Sequence, residues 1–372
     1  MKTAVANDEF SINKLKHSLY DINKTYAQNV LEGPFFDGIF PQRELPPQNE
    51  WIDFLGFKVA SRIGIPAGPL LTSRWIETAA KLGFDIVTYK TIRSKEYAGH
   101  GLPNIIYIDQ DEQLDPLKLP NHVLQRLTTP REFQQIAITN SFGMPSMSPA
   151  FLRQDIPKAK QCLGKGQVLV VSVVGTPGAD FIGDFVETAL LAKDCGADII
   201  EANFSCPNVT TGEGCIFTNP KTVAQISSRL TKALGKTPLI IKVGIFSNND
   251  QMRQTFISAA NSGVQAISGI NTISMKVLNT LGKPALGPDR LTSGICGNPI
   301  RAAALDFIKQ ASYINEEEKL GLTLIGVGGI VAPEHFVQFF EAGAHISMSA
   351  TGMMWNPYLA SCFHRRAYVQ AI

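Results

Sequence analysis

The chain has 372 residues, of which 44% are hydrophobic and 18% charged, a composition typical of a globular enzyme. This length suits two or three domains or one large α/β barrel. The net charge is only +2 and the Lys and Arg residues are dispersed, so the charge gives no reason to expect nucleic-acid binding. No run approaches the roughly 20 apolar residues of a bilayer-spanning helix.

The six cysteines and six histidines show none of the spacings expected of metal ligands. The absence of a C-x-x-C pair argues against a zinc knuckle or an iron–sulfur cluster, so we expect no metal. Free thiols, together with the absence of a signal peptide, predict a protein of the reducing cytoplasm.

Residues 1–50 are predicted to form an N-terminal extension, and residues 51–372 a single large domain. An apolar period of three and four residues runs through Ile12, Leu15, Leu19, Ile22 and Tyr26. This period predicts an amphipathic helix docked on the body of the protein. A helix that binds a membrane surface or a partner is the alternative.

From residue 58 onward, short apolar runs alternate with helical segments. The candidate strands are residues 62–67, 85–90, 168–174, 197–203, 238–243, 265–271, 322–327 and 345–350. The candidate helices are residues 73–82, 179–195, 219–234, 249–262, 299–311 and 333–342. This alternation predicts an α/β fold, a (β/α)8 TIM barrel, with a doubly wound open sheet as the alternative.

Residues 91–165 separate the second and third candidate strands, which is too long for a simple connection between a strand and a helix. We therefore predict a large insertion after strand two on the catalytic face of the barrel. It contains the run Ala137-Ile138-Thr139-Asn140-Ser141-Phe142-Gly143-Met144-Pro145.

Polar residues or glycines mark the carboxyl ends of the predicted strands, where barrel enzymes place their chemistry. They are Ala67, Gly68, Lys90, Ser172, Asn203, Lys242, Asn271, Thr272, Gly328, Gly329, Ala350 and Thr351. Lys90 and Lys242 close apolar strands, and a buried lysine is costly without an anionic or acceptor-rich partner. Together they indicate a site for a polar, anionic cofactor or substrate.

The glycines after the last two strands predict a phosphate site. Gly328 and Gly329 follow strand seven and Ala350-Thr351-Gly352 follows strand eight, the two loops with which barrels frequently bind phosphate. Ser293-Gly294-Ile295-Cys296-Gly297 is predicted to be a further loop that approaches a ligand closely. There is no G-x-G-x-x-G after the first strand and no P-loop, so flavin mononucleotide (FMN) fits better than a nicotinamide cofactor. A lysine at the ring edge would stabilise the reduced flavin.

The run Asn203-Phe204-Ser205-Cys206-Pro207-Asn208 stands at the end of the fourth strand. Two carboxamides flank one thiol, and carboxamides suit a flat ligand with alternating C=O and N–H groups. The thiol of Cys206 is placed to move a proton. The purely structural alternative is a strand end with turn-forming residues and a small buried cysteine.

These residues resemble the dihydroorotate dehydrogenase family of FMN-dependent (β/α)8 barrels over residues 52–360. Residues 203–208 are similar to the family's N-[LVI]-S-[CS]-P-N motif, residues 87–91 to its strand-two lysine segment, and residues 139–145 to its N-S-M-G-L-P segment. The resemblance implies oxidation of (S)-dihydroorotate to orotate in pyrimidine biosynthesis. Cys206 would remove the C5 proton, and hydride would pass from C6 to N5 of the flavin.

The resemblance also implies the binding residues. Those implied for the substrate are Lys90, Asn140, Phe142, Gly143, Met144, Asn203, Asn208, Asn271 and Thr272. Those implied for FMN are Ala67, Gly68, Lys90, Thr91, Asn140, Asn203, Lys242, Gly294, Cys296, Gly297, Gly328, Gly329, Ala350 and Thr351.

The cysteine at the position of the base resembles the base of the soluble class of the family, whereas the quinone-reducing membrane class uses serine. This implies fumarate as the electron acceptor, because NAD would need a partner subunit carrying iron–sulfur ligands, and we expect a homodimer. Lys90-Thr91 and Asn271-Thr272 also resemble the pyrimidine domain of dihydropyrimidine dehydrogenase. An oxidoreductase acting on uracil or dihydrouracil, and a non-catalytic flavin-binding protein, therefore remain alternatives.

Residues 207–218 follow the proposed base and contain Gly212 and Gly214. Because glycine pivots and scarce apolar surface leave a loop weakly held, we predict a lid that closes over Cys206 when a pyrimidine binds. An ordinary surface loop is the alternative.

Overall fold

The computed structural model describes residues 18–178, 180–205 and 212–370. Eight parallel strands form a closed barrel in which each strand pairs with its neighbours along the chain. They are Ile63–Ile65, Ile86–Ile92, Val168–Val173, Ile199–Asn203, Leu239–Lys242, Ala266–Gly269, Thr323–Val327 and Ile346–Met348. The predicted (β/α)8 barrel and all eight of its strands are confirmed, because buried parallel strands carry the continuous apolar runs that the sequence displays.

A helix follows each barrel strand on the outside. In chain order the helices are Ser73–Lys81, Pro149–Gln161, Phe181–Asp194, Pro220–Leu234, Asn249–Asn261, Arg301–Glu317 and Pro333–Glu341, and after the last strand Thr351–Trp355 and Leu359–Gln370. The predicted start of the fourth helix is confirmed, since the side chain of Asn219 accepts a hydrogen bond from the amide of Thr222 and Pro220 is the first residue. The sixth helix extends to Glu317, beyond its predicted end at residue 311.

The amino end of the barrel is filled by an apolar cluster. A hairpin of strands Ile52–Phe54 and Phe57–Val59 packs its buried residues Phe54 and Val59 among strand residues of this cluster, such as Ile86. This end is therefore closed by apolar packing, and the opposite end of the barrel, at the carboxyl ends of the strands, is where barrel enzymes place their sites.

A five-stranded sheet formed by two insertions lies beyond the carboxyl ends of the barrel strands. Its strands, in order across the sheet, are Ile105–Tyr107, Ala137–Asn140, Thr292–Gly297, Ile273–Leu278 and Val123–Leu124. The second insertion, between the sixth strand and its helix, was not predicted.

Two expectations about these insertions are wrong. The predicted loop Ser293-Gly294-Ile295-Cys296-Gly297 is a strand, because it pairs antiparallel with residues 137–140, more than 150 residues earlier. Residues 91–165 are not all insertion either, because they begin in the second barrel strand and include Pro149–Gln161, the barrel's own second helix.

The expectation of an amphipathic helix across residues 12–26 is wrong for residues 18–26, the part of this range that the structure describes. Residues 18–25 form turns, and the helix begins at Tyr26 and ends at Glu32. The buried side chain of Asn29 competes with the helix: it accepts a hydrogen bond from the amide of Asp21 and donates to the carbonyls of Asp21, Lys24 and Thr25. Ile12 and Leu15 lie outside the described residues. No helix within the described ranges is long and apolar enough to cross a bilayer.

Candidate active site

A cavity opens at the carboxyl ends of the barrel strands and extends under the five-stranded sheet. It encloses about 1180 Å³ of empty space, a volume that includes open solvent at its mouth. The predicted site residues that line it are Ala67, Gly68, Lys90, Thr91, Asn140, Phe142, Met144, Asn203, Lys242, Asn271, Thr272, Cys296, Gly297, Gly328, Gly329, Ala350 and Thr351.

Two lysines enter the cavity from its floor, and both are buried. Lys90, which is 7% exposed, places its Nζ 5.8 Å from the centre of the Phe142 ring. Lys242, which is 4% exposed, donates a hydrogen bond of 3.3 Å to the hydroxyl of Ser268. Two buried ammonium groups make the cavity attractive to an anionic ligand.

Lys242 is coupled to Glu201, a residue of the fourth strand that the sequence reasoning missed. Glu201 is 2% exposed, and its Oε1 has no hydrogen-bond partner among the described residues. Burial raises the pKa of Glu201, against the attraction of Lys242, and burial lowers the pKa of Lys242 to about 8, against the attraction of Glu201. The signal was present in the sequence, because Glu201 interrupts an otherwise apolar strand.

The side-chain amides predicted at the strand ends lie close together. Asn203 donates to the Thr91 hydroxyl over 3.5 Å and accepts from the Ser205 amide over 3.2 Å. The Asn271 amide group donates to the carbonyl of Ser205, and its oxygen accepts from the amide of Thr272. These contacts hold both carboxamides at the cavity wall, in a position to pair with the C=O and N–H groups of a ligand.

Asn140 and Cys296 meet across two neighbouring strands of the five-stranded sheet, Ala137–Asn140 and Thr292–Gly297. The Asn140 amide group donates to Sγ of Cys296 over 3.3 Å. Burial raises the pKa of the Cys296 thiol to about 11, so this thiol is neutral at physiological pH. Cys296 therefore serves as a neutral wall of the cavity.

The chain turns sharply between Phe142 and Pro145. Both Gly143 and Met144 lie in the left-handed region, with φ of 70° and 53°. A Cβ on Gly143 would approach the ring of His100 to 2.7 Å, so only glycine fits there. Gly143 does not line the cavity, but its turn places the side chains of Phe142 and Met144 in the wall. A non-glycine residue at positive φ is a strain that functional sites tolerate.

A glycine loop after the seventh strand lies against the start of the helix Arg301–Glu317. Gly329 has a φ of 70°, and a Cβ there would approach the backbone of Arg301 to 2.6 Å. Ala350 and Thr351 lie beside this loop, where the short helix Thr351–Trp355 begins. Closely approaching backbone and a helix start form a cradle that fits the phosphate of a flavin mononucleotide.

Gly294 does not line the cavity either, but it makes room for Thr272. A side chain on Gly294 would overlap the Thr272 hydroxyl. That hydroxyl is buried and has no hydrogen-bond partner among the described residues. An orphaned hydroxyl at the cavity wall fits a ligand that completes its hydrogen bonding.

The proposed base Cys206 and the proposed substrate residue Asn208 lie outside the described residues. The chain re-enters the described part in a 3-10 helix over Gly212–Thr218, whose Ile216 and Phe217 are buried. Phe217 packs edge to face on Phe246, with ring centres 5.0 Å apart. The predicted lid over residues 207–218 is therefore held by apolar contacts at its far end, contrary to the expectation that little apolar surface pins it.

The cavity also has walls that the sequence reasoning missed. Most are apolar residues of the strand ends and loops: Pro69, Leu71, Ile105, Ile138, Ile270, Ile300, Val327, Ile330, Val331, Met348 and Met354. Another is Tyr20, from the N-terminal segment. Nothing in the local sequence distinguished Tyr20 from an ordinary buried aromatic.

The fold and the cavity thus define a (β/α)8 barrel with a ligand site at the carboxyl ends of its strands. The family model for dihydroorotate dehydrogenase matches residues 52–363, and the chain belongs to that family of flavin-dependent oxidoreductases. A dihydroorotate dehydrogenase of Dictyostelium discoideum is 49% identical over 366 residues, 96% of this chain and 98% of the relative. The catalytic subunit of dihydroorotate dehydrogenase B (NAD(+)) from Alkaliphilus metalliredigens is 30% identical over 220 residues, 59% of this chain and 67% of the relative.

Proposed function

We propose that this protein oxidises (S)-dihydroorotate to orotate in pyrimidine biosynthesis, with FMN as its cofactor. The observation that carries the proposal is the grouping of two buried lysines, two strand-end asparagines and a glycine cradle in one cavity. The relative from Dictyostelium, which matches almost the whole chain and is named a dihydroorotate dehydrogenase, supports it.

Specific residues are proposed to hold the FMN. Gly328, Gly329 and the start of the helix at Thr351 would bind its phosphate, and Ala67, Gly68 and Lys242 would border its ring. When bound, the flavin supplies the acceptor for the electrons removed from the substrate. The ammonium group of Lys242 supplies positive charge where the ring gains negative charge.

The flat pyrimidine would lie among Asn140, Asn203, Asn271 and Thr272, whose donors and acceptors match its amide groups. Lys90 would attract the carboxylate of dihydroorotate, and the backbone turn at residues 142–144 would enclose that carboxylate. Uracil lacks this carboxylate, so the buried charge of Lys90 favours dihydroorotate over the uncharged alternative.

Cys206 is proposed as the general base that removes the C5 proton, with Asn208 beside it as a ligand of the pyrimidine. An ordinary cysteine has a pKa of about 8.5, so the thiolate fraction, and with it the rate, should rise with pH towards that value. Residues 207–218 are proposed as a lid that closes over Cys206 when a pyrimidine binds and excludes water from this step.

We expect the purified protein to turn over dihydroorotate at least 100-fold more efficiently than dihydrouracil, because a site built for a charged group strongly rejects the analogue that lacks it. The measurement is kcat/KM for both compounds with the same artificial dye as acceptor. Equal values, or a preference for dihydrouracil, would favour the pyrimidine-reductase alternative. If neither compound is turned over by a protein that contains flavin, the non-catalytic alternative stands.

The natural acceptor is proposed to be fumarate, and the free cysteines at residues 162, 195, 215, 296 and 362 are in keeping with a cytoplasmic location. Reoxidation of the dihydroorotate-reduced protein by fumarate, NAD, a short-chain quinone and oxygen separates the acceptors. Rapid reoxidation by fumarate alone is the expected result, and reoxidation by the quinone but not by fumarate would contradict it.

A homodimer is proposed to form through the five-stranded sheet. Three leucines on its connections, Leu117, Leu127 and Leu281, are largely exposed, and a second copy packed on them would remove this apolar surface from water. We expect light scattering to give twice the chain mass, and Leu127→Glu with Leu281→Glu to give the monomer mass. Leu31→Glu, at an exposed leucine of the N-terminal segment, is the control that should leave the dimer intact. A wild-type monomer would contradict the proposal.

A further inference from the structure

We propose that Tyr20, in the N-terminal segment of residues 18–36, is a positioning residue of the substrate site. Its ring lines the cavity and holds the Phe142 ring against Lys90, and it thereby fixes the turn at residues 142–144. This inference rests on the proposed function for its ligand, and it assigns part of the site to a segment that lies outside the barrel.

The position of Tyr20 is established by aromatic contacts on two sides. Its ring meets the Phe142 ring edge to face, with centres 5.5 Å apart and planes at 87°, and lies 6.3 Å from the ring of Trp75. Tyr20 is 1% exposed, so the contact is dry. Edge-to-face pairs of this kind have a preferred geometry and resist displacement of either ring.

Phe142 contacts both the ring of Tyr20 and the side chain of Lys90. The Lys90 ammonium is 5.8 Å from the centre of the Phe142 ring, within the range of a cation–π contact. Because Gly143 and Met144 follow in the left-handed conformation, the turn has little freedom to relax around a displaced Phe142. A shift of Phe142 therefore moves both the turn and the charge proposed to bind the carboxylate.

The N-terminal segment is anchored firmly enough to act as a wall. The amide of Leu19 donates to the carbonyl of Met354 over 2.8 Å, beside the proposed phosphate cradle. The amide of Phe35 donates back to the carbonyl of Leu19 over 2.9 Å, and Arg74 donates to the carbonyl of Val30 over 3.0 Å. Asn29, through the hydrogen bonds given above, fixes the turn between these anchors.

The hydroxyl of Tyr20 is not the part of the side chain that is proposed to position Phe142. It is buried, its polar neighbour is Asn29, and the amide hydrogens of Asn29 are donated to backbone carbonyls. Burial raises the pKa of Tyr20, so the side chain stays neutral. The ring is therefore the functional part, and Tyr20→Phe is a matched control that keeps the ring.

The test compares Tyr20→Ala, Tyr20→Leu and Tyr20→Phe with the wild type in the flavin-loaded protein. We expect Tyr20→Ala to raise the Kd of orotate, followed by the change in flavin absorbance, and the KM of dihydroorotate by roughly three- to tenfold, the magnitude of a lost aromatic pair. The kcat should change by less than twofold. Tyr20→Phe should match the wild type, and Tyr20→Leu, which keeps apolar volume, should lie between.

Hydrogen exchange of the backbone amides at residues 142–144, measured without any pyrimidine, supplies the second readout. Faster exchange confined to this turn in Tyr20→Ala, with exchange in the barrel strands unchanged, supports a positioning role. Unchanged exchange together with wild-type Kd would overturn it, and so would a uniform increase across the barrel. If Tyr20→Ala does not fold, Tyr20→Leu decides by the same two measurements.

The two proposals can fail separately. If the wild-type protein neither binds orotate nor oxidises dihydroorotate, the proposed function is wrong, yet the exchange measurement still tests whether Tyr20 holds the turn. If the wild type is active and Tyr20→Ala equals it in both readouts, only the role of Tyr20 is wrong.

Discussion

Replacing Cys206 by alanine is expected to slow reduction of the bound flavin by dihydroorotate by roughly 10²–10⁴-fold, the usual contribution of a general base. Alanine cannot accept the C5 proton, while the groups proposed to hold the flavin are untouched. The variant should therefore keep its full flavin content and bind orotate with nearly wild-type affinity. Stopped-flow absorbance under anaerobic conditions measures the reduction rate.

Cys206→Ser is the matched control, since serine is the base in the membrane class of the family, whereas the cysteine of this sequence resembles the soluble class. Serine ionises at much higher pH than cysteine, so this variant should retain part of the activity, with its pH–rate profile displaced to higher pH. Full activity in Cys206→Ala would show that another group takes the proton. Loss of flavin from Cys206→Ala would point instead to a structural role for the thiol.

Lys242→Met is expected to lower the free energy of unfolding of the flavin-free protein by about 3–5 kcal/mol, the usual cost of leaving one buried charge without its partner. The variant removes the positive charge that attracts the carboxyl group of Glu201, which is 2% exposed. Urea unfolding followed by circular dichroism measures the change. Lys160→Met, which breaks the ion pair of 2.7 Å between Asp198 and a lysine that is 41% exposed, is the control and should cost about 0–1 kcal/mol.

The free energy of unfolding that Lys242→Met loses depends on pH, and its direction follows from the pKa of Glu201. Burial raises the pKa of Glu201 already in the wild type, and removing Lys242 raises it further. A carboxyl whose folded pKa exceeds its unfolded pKa of about 4.3 favours folding at low pH and loses that contribution as pH rises. The deficit of Lys242→Met should therefore grow between about pH 5 and 8. A deficit below about 1 kcal/mol, independent of pH, would show that the pair is not coupled as described.

Residues close in sequence predicted the barrel and many of the residues that line its cavity. Each barrel strand is a short apolar run. Asn203 and Lys242 were informative because they end their strands, and Lys90 because it lies two residues before the end of its strand, at a known edge of the fold. The closed barrel then brings these strand ends together, so residues that are far apart in the sequence line one cavity.

The features that the sequence did not predict depend on contacts between distant residues. The strand Thr292–Gly297 exists because residues 137–140 pair with it, and no local pattern carries that information. The turns around Asn29 replaced an expected helix through side-chain bonds to the backbone, which an apolar period does not register. Tyr20 reaches the cavity only because the N-terminal segment packs on Phe142.

An anaerobic single-turnover reaction of the purified, flavin-loaded protein with dihydroorotate shows directly whether this protein oxidises dihydroorotate with its flavin. Mixing excess protein with a known amount of dihydroorotate should bleach the flavin and release orotate in a one-to-one ratio, at a rate that rises with pH towards the cysteine pKa of about 8.5. If dithionite bleaches the flavin but dihydroorotate does not, and no orotate is formed, the protein is not a dihydroorotate-oxidising enzyme.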